Sequence, residues 1–272
     1  MRIGHINFLN VLPLTYGYAR FTARDFELTN GVPTKINRLL EESRLDVSQI
    51  SSIAFAQMSN RLVMLPDICI RADDDVESIV LVSRKPIDRL SGEKIIVTSK
   101  SETAKCLLKI IMAEGYNATP EYETRAVSVA RPIDDDACAA LLIGDDALNI
   151  YYHRPSGLNC YDLGREWHQM TGRSMVYAVW AARRDLDSSA IDRARDYINR
   201  AMAYGLEHKA EAIRAELSKT QFTFEQLDHY LGGIIRWNLT PEHLESLKLY
   251  YALAKKIGLL EHAPTIEISS RG

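Results

Sequence analysis

The sequence predicts an α/β protein of two lobes with a helical C-terminal tail. Three observations carry this. Short β-prone runs alternate with helical stretches over the first 60 residues, the rhythm of parallel βαβ units. A second series of the same kind begins near residue 84. From Ser188 onward the pattern is almost wholly helical.

Arg2 to Asn7 alternates and reads as a strand. Asn10 to Phe21 reads as a helix, with Asn10 as N-cap and Pro13 in the first turn, where a missing N–H costs little. Phe26 to Thr29 is a second strand. Pro33 opens a helix through Glu42 that gathers Ile36, Leu39 and Leu40 on one face. Leu45 to Ile50 is a third strand, and a helix from Ile53 to Asn60 follows Ser51-Ser52.

Past the run Asp67 to Arg71 and the acidic Asp73-Asp74-Asp75, Val76 to Ser83 is a strong strand. Lys94 to Thr98 is a strand and Thr103 to Ala113 an amphipathic helix. Further strands are expected near Glu121 to Thr124, at Ala137 to Ile143 and at Ser174 to Ala182. Four helices are expected in the tail: Ile191 to His208, Lys209 to Leu217, Thr223 to Leu231 and Pro241 to Ile257.

This order places residues 1–83 and 184–272 in lobe one and 84–183 in lobe two, with Ile79 to Val82 and Val179 to Ala182 as the crossing strands of a hinge. Such connectivity resembles the type II periplasmic-binding-protein architecture, in which a ligand is expected in a central cleft at the carboxyl ends of strands. Leu244, Leu247, Tyr251 and Ala254 fall at helical spacing. That face packs on its own lobe or forms a dimer face, so a monomer or a homodimer is expected.

The composition narrows the function. With 272 residues, 46% of them hydrophobic, the chain can bury one large core or two modest ones. A formal net charge of -3 offers no basic excess for nucleic-acid binding. Cys69, Cys106, Cys138 and Cys160 read as reduced thiols, and no Cys or His cluster has zinc-ligand spacing, so no metal is expected. Neither G-x-G-x-x-G nor G-x-x-x-x-G-K-[ST] occurs, and G-x-S-x-G and H-E-x-x-H are also missing. No apolar run approaches the ~20 residues of a membrane span. The N-terminus has no basic segment and apolar core of a signal peptide. A cytoplasmic protein without membrane contact is expected.

Four polar turns follow strands: Asn7 to Asn10, Ser48 to Ser52, Ser99 to Thr103 and Gly144 to Asp146. Glu77-Ser78 begins the Val76 to Ser83 strand. Within S-K-S-E-T, Ser99, Ser101 and Thr103 lie at a helix start, where free N–H groups and hydroxyls can seat a carboxylate or phosphate, or where a hydroxyl caps its own helix. Ser51 and Ser52 allow the same two readings. Asp145 is a candidate base at a strand end, or a cap for the helix from Ala147. His5, inside the first strand, reads as a packed residue. His168 can lie on either face of its segment.

Seven segments together resemble a known family. They are R-I-G-H-I-N-F-L-N-V-L-P-L at 2–14, L-D-V-S-Q-I-S-S at 45–52, L-P-D-I-C-I at 65–70 and V-E-S-I-V-L-V-S at 76–83. L-L-I-G-D-D-A-L at 141–148, Y-D-L-G-R-E-W-H-Q-M-T-G at 161–172 and V-Y-A-V-W-A-A-R-R-D at 176–185 complete the set. Their order is similar to that of the chorismate dehydratases of the futalosine route to menaquinone. The related dihydroxynaphthoate synthases begin with a segment like C-P-N-D-T-F and carry a His where this chain has Gly144-Asp145. The resemblance implies a hydro-lyase that converts chorismate to 3-[(1-carboxyvinyl)oxy]benzoate without a cofactor. It implies that Asn10 and Ser78 touch the substrate at the reaction centre and that Ser51, Ser52, Ser101 and Thr103 seat its carboxylates.

Overall fold

The computed structural model describes residues 1–21 and 25–269. The chain opens with β1 (Arg2–Ile6), α1 (Leu12–Arg20), β2 (Glu27–Gly31), α2 (Pro33–Glu41), β3 (Val47–Ser51), α3 (Ser52–Met58) and β4 (Leu62–Ala72). β5 (Ile79–Ser83), β6 (Lys94–Val97), α4 (Glu102–Ile110), β7 (Glu121–Thr124), β8 (Ala139–Ile143) and α5 (Gly144–Tyr152) follow. Then come β9 (Asn159–Asp162), α6 (Leu163–Thr171) and β10 (Met175–Arg183). The tail holds α7 (Ser188–Glu207), α8 (Lys209–Glu216), α9 (Phe224–His229), β11 (Arg236–Asn238) and α10 (Pro241–Lys256). Among the described residues no helix is long and apolar enough to cross a membrane.

The chain divides into two compact units. The first is Met1–Ile70 with Ala178–Thr240 and the segment from Pro264; the second is Arg71–Tyr177 with Pro241–Ala263. The first unit is built on a six-stranded sheet of order β11-β4-β10-β3-β1-β2. β1 runs parallel to β2 and β3, and β10 antiparallel to β3. The second unit is built on a five-stranded sheet of order β7-β6-β8-β5-β9. There β6 runs parallel to β7 and β8, and β5 antiparallel to β8 and β9. β5 and β8 are buried along their whole length, as strands covered on both faces must be.

Helix packing in the first unit reaches backbone contact. A Cβ on Gly17 of α1 would lie 1.9 Å from the Ala201 carbonyl oxygen, and one on Gly205 of α7 would lie 1.7 Å from the Pro13 oxygen. Only glycine lets these two helices approach so closely. Around them Tyr18 and Tyr197 stack at 5.4 Å, and Phe26 stacks on Tyr197 at 4.6 Å.

Three sequence expectations are corrected. The crossing strands are β4 and β10, through which the division falls, rather than Ile79 to Val82. Every residue of β5 pairs with β8, and Val80 to Ser83 also pair with β9, so β5 is committed to the second sheet. The boundaries expected at residues 83 and 183 therefore fall at 70 and 177, and the 270–272 end of lobe one lies outside the described residues. α10 belongs to the second unit and not to lobe one, burying Leu247, Tyr250, Tyr251 and Ala254. Lastly, Asn10 is not an N-cap. A 3-10 turn over Leu9–Val11 precedes α1, whose cap is Val11 without a side-chain bond. Pro13 does sit in the first turn. β9, α6 and β11 had no counterpart among the expected elements.

Candidate active site

Parallel pairing fixes which turns share an edge. Because β1 and β3 are parallel, the turn after Ile6 and the turn after Ser51 lie at the same edge of the first sheet. Gln49, 2% exposed, ties them together by donating its Nε2–H to the Ile6 carbonyl at 2.8 Å. The Val11 amide donates to the Phe8 carbonyl at 3.0 Å, which closes the 3-10 turn holding Asn10. Asn10 is half-buried there, and its carbonyl accepts the Trp237 indole N–H.

His5 braces the same turn from below. It is 3% exposed, meets the Tyr18 ring edge-on, and bonds through Nε2 to the Thr15 hydroxyl at 2.8 Å. The Thr15 hydroxyl donates to the Val11 carbonyl or to Asn7 Oδ1, each at 3.2 Å. A hydroxyl has one proton to give, so Thr15 accepts from His5, whose neutral ring carries its proton on Nε2. Burial pushes the His5 pKa down to about 4. The packed role read from sequence is the one it has.

Ser51 takes the capping reading. Ser51 is half-buried and caps α3, accepting from the Ala54 amide at 3.4 Å. Ser52 is wholly buried.

In the second sheet β6 and β8 end at one edge, and β5 starts there because Ile79 pairs with Ile143. Five candidates gather at that edge: Ser78, Ser99, Ser101, Thr103 and Asp145. The Gly144 amide, at φ +63°, donates to the Ser78 carbonyl at 2.8 Å. Ser78 is 4% exposed, and its Oγ donates to the Val76 carbonyl at 3.2 Å. Ser101 is half-buried and caps α4 through the Ala104 amide at 3.1 Å. Ser99 is exposed. Thr103 is 2% exposed, with its carbonyl accepting from Tyr250 Oη at 3.2 Å. Asp145 lies exposed in the first turn of α5, where its charge complements the helix dipole, but the cap residue is Ile143. Lys100 spans from the α4 turn to Asp146 of α5 at 2.7 Å.

This end of the second sheet therefore brings together the N-termini of α4 and α5 and several hydroxyls, groups suited to oxyanions, with the Lys100 charge met by Asp146. Sequence reasoning missed Asp162, Tyr152, Trp237 and Gln49, which touch these turns from distant parts of the chain. Among the described residues no three His, Cys, Asp or Glu side chains converge as metal ligands. Three of the cysteines are buried and Cys160 is half-buried, all as free thiols.

A protein-family model described as "Menaquinone biosynthesis" matches residues 1–256. A chorismate dehydratase of Thermus thermophilus is 29% identical over 272 residues, covering 94% of this chain and 95% of that protein. A 1,4-dihydroxy-6-naphtoate synthase of the same organism is 28% identical over 181 residues, covering 65% and 63%. Among solved structures, the periplasmic aliphatic sulphonate binding protein SsuA of Escherichia coli matches with a TM-score of 0.68 at 14% identity, over 97% of this chain and 89% of that one. That likeness shows the fold, a periplasmic-binding-protein-like one, and not a ligand.

Proposed function

The chain belongs to the menaquinone biosynthesis family, and from that premise we propose that it is a chorismate dehydratase, a hydro-lyase that turns chorismate into 3-[(1-carboxyvinyl)oxy]benzoate. The observation that carries this reading is the end-to-end match to a chorismate dehydratase, 94% of one chain against 95% of the other. The synthase match, which supports the second reading, covers 65% and 63%.

The reaction removes a ring proton and the ring hydroxyl as water. It changes no overall oxidation level and ends in an aromatic ring. The protein's task is to orient the substrate and stabilise charge as the proton leaves. An amide has no pKa suited to a base, so Asn10 orients the leaving hydroxyl or a substrate carboxylate. The proton passes to the substrate's own enolpyruvyl carboxylate. In the second unit Ser78 is a proposed contact with the substrate, and Ser99, Ser101 and Thr103 are proposed carboxylate seats; in the first unit Ser51 and Ser52 are proposed for the same role. Asp145 is the one carboxylate among the proposed contacts, and Asp145→Asn tests whether the protein must supply a second acceptor. The enzyme works in the cytoplasm as a monomer or homodimer.

Mixing purified protein with chorismate and following the ultraviolet change as the diene becomes aromatic tests the reading. Catalytic formation of the benzoate is expected, and Asn10→Ala and Ser78→Ala should lower kcat far more than they weaken binding. A stoichiometric thermal shift without product would make the protein a carboxylate receptor. Turnover of cyclic dehypoxanthine futalosine instead would make it the synthase.

A further inference from the structure

Ser78 closes a backbone turn that chain sterics disfavour. Glu77 holds φ +57°, a region that residues other than Gly and Asn rarely enter. The Ser78 amide donates back to the Val76 carbonyl at 2.6 Å, completing a three-residue turn of γ type. Such conformations persist where the surroundings over-determine them, and they gather at functional sites.

The principal determinant is a buried carboxylate that the dehydration chemistry does not use. Asp162 is 7% exposed and is the N-cap of α6. Capping accounts for the Gly164 amide at 2.8 Å and the Arg165 amide at 3.2 Å, both on Oδ1. It does not account for the rest. The Val76 amide reaches both carboxylate oxygens, at 3.0 and 3.1 Å, and the Glu77 amide reaches Oδ2 at 2.6 Å. These partners lie 86 and 85 residues away in sequence. All four donors are backbone N–H groups, and both oxygens accept, so only an ionised carboxylate satisfies the set.

Other groups hold the turn where Asp162 does not reach. A Cβ on Gly164 would lie 2.3 Å from the Asp74 carbonyl oxygen and 3.0 Å from the Val76 nitrogen, so glycine is what admits α6 against the turn. Tyr152 donates its hydroxyl to Glu77 Oε2 at 2.8 Å from the end of α5. The Gly144 amide takes up the Ser78 carbonyl. α6, α5 and the end of β8 thus hold the turn that carries Ser78, whose Oγ donates to the Val76 carbonyl at 3.2 Å.

We propose that Asp162 is a positioning residue for Ser78: its carboxylate gathers the Val76 and Glu77 amides into the turn that aims the serine at substrate. The inference rests on the dehydratase reading, with Ser78 at the reacting ring. In a substrate-bound enzyme a misplacement near 1 Å lowers the rate by about 10²-fold. Asp162→Asn puts an amide N–H among N–H donors and releases the turn. Its kcat should fall by about 10²-fold with KM little changed.

A double-mutant cycle on the full chain, assayed with chorismate, decides the matter. Asp162→Asn and Ser78→Ala should each lower kcat, and the double variant should be no slower than Ser78→Ala alone. Tyr152→Phe removes one hydroxyl from the other side of the turn. It should fold as the wild type does, slow kcat several-fold, and lose that effect in the Ser78→Ala background. It carries the test if Asp162→Asn does not fold. Losses that multiply instead of merging, or wild-type kcat in both Asp162→Asn and Tyr152→Phe, would overturn the assignment. No turnover of chorismate by the wild type rejects the dehydratase reading itself, a result read before any variant is made.

Discussion

The Trp237 indole N–H donates to the Asn10 carbonyl at 3.0 Å, joining positions 227 apart in the chain. β11, which carries Trp237, has three residues and ends the first sheet. A strand this short adds little pairing, yet it brings an indole donor to the one turn that presents Asn10. Trp237→Phe keeps most of the ring and deletes the donor. The orphaned carbonyl should lower stability by about 1–2 kcal/mol. If the bond also orients Asn10, kcat with chorismate should drop about tenfold while KM changes less. Denaturant unfolding and steady-state kinetics measure the two effects separately.

That contact shows where sequence reading stopped. The βαβ rhythm was legible because β1 and β3 mix apolar and polar residues, β6 and β8 are short apolar runs, and polar turns set all four off; parallel pairing followed from the helices between them. The polar turns that follow these strands were legible for the same reason. Long-range register was not. Ile79 to Ser83 and Leu62 to Ala72 are both apolar, and only the pairing of β5 with β8 and β9 shows that β4 is the crossing strand. Pro66 and Asp67, the latter at φ +67°, hide β4 by interrupting its pattern. β9 reads Asn-Cys-Tyr-Asp, with no alternation to find. Asp162 was missed because its bonds to Val76 and Glu77 join positions 86 and 85 residues away, a pairing that no local pattern signals.

Buried His5 makes an acid-side prediction. Its pKa falls from 6.5 to about 4 on folding because burial disfavours the charged ring. A depressed folded pKa means that this stabilisation is full above pH 6.5 and is lost as pH falls toward 4. The loss over that window is about 3 kcal/mol. Asp162 slopes the other way, since burial raises its carboxyl from 3.8 to about 6 against the pull of its amide donors, so its stabilisation fades as pH rises through 6. His5→Asn should remove the first slope only. Urea unfolding of wild type and variant at intervals from pH 7 to pH 4 would show the two stability curves converging toward acid. Parallel curves would contradict the buried neutral imidazole.

Gly205 tests how far the site depends on helix packing. Alanine at an exposed helix position gains up to about 1 kcal/mol over glycine. At Gly205 a Cβ would lie 1.7 Å from the Pro13 oxygen, on backbone that cannot rotate away. Overpacking of this kind costs about 1–3 kcal/mol or more. Gly205→Ala should therefore lower the melting temperature by several degrees and push α1 off α7. Because α1 begins two residues after Asn10, kcat should fall with it. A melting temperature raised by the substitution would show that the two helices separate freely.

Ser101 separates capping from substrate binding. Its hydroxyl accepts from the Ala104 amide at 3.1 Å, which alone would explain a serine at that position. Asp caps a helix as well as Ser does, and it adds a favourable charge at the N-terminus. Ser101→Asp should therefore hold stability at or slightly above wild type, whereas Ser101→Ala should lose about 1 kcal/mol. If the α4 N-terminus seats a substrate carboxylate, the same Asp places a like charge against it. KM for chorismate should then rise at least tenfold in Ser101→Asp, and much less in Ser101→Ala. A stable Ser101→Asp enzyme with wild-type KM would make Ser101 a cap and nothing more, and would move the carboxylate seat elsewhere along the edge of the second sheet.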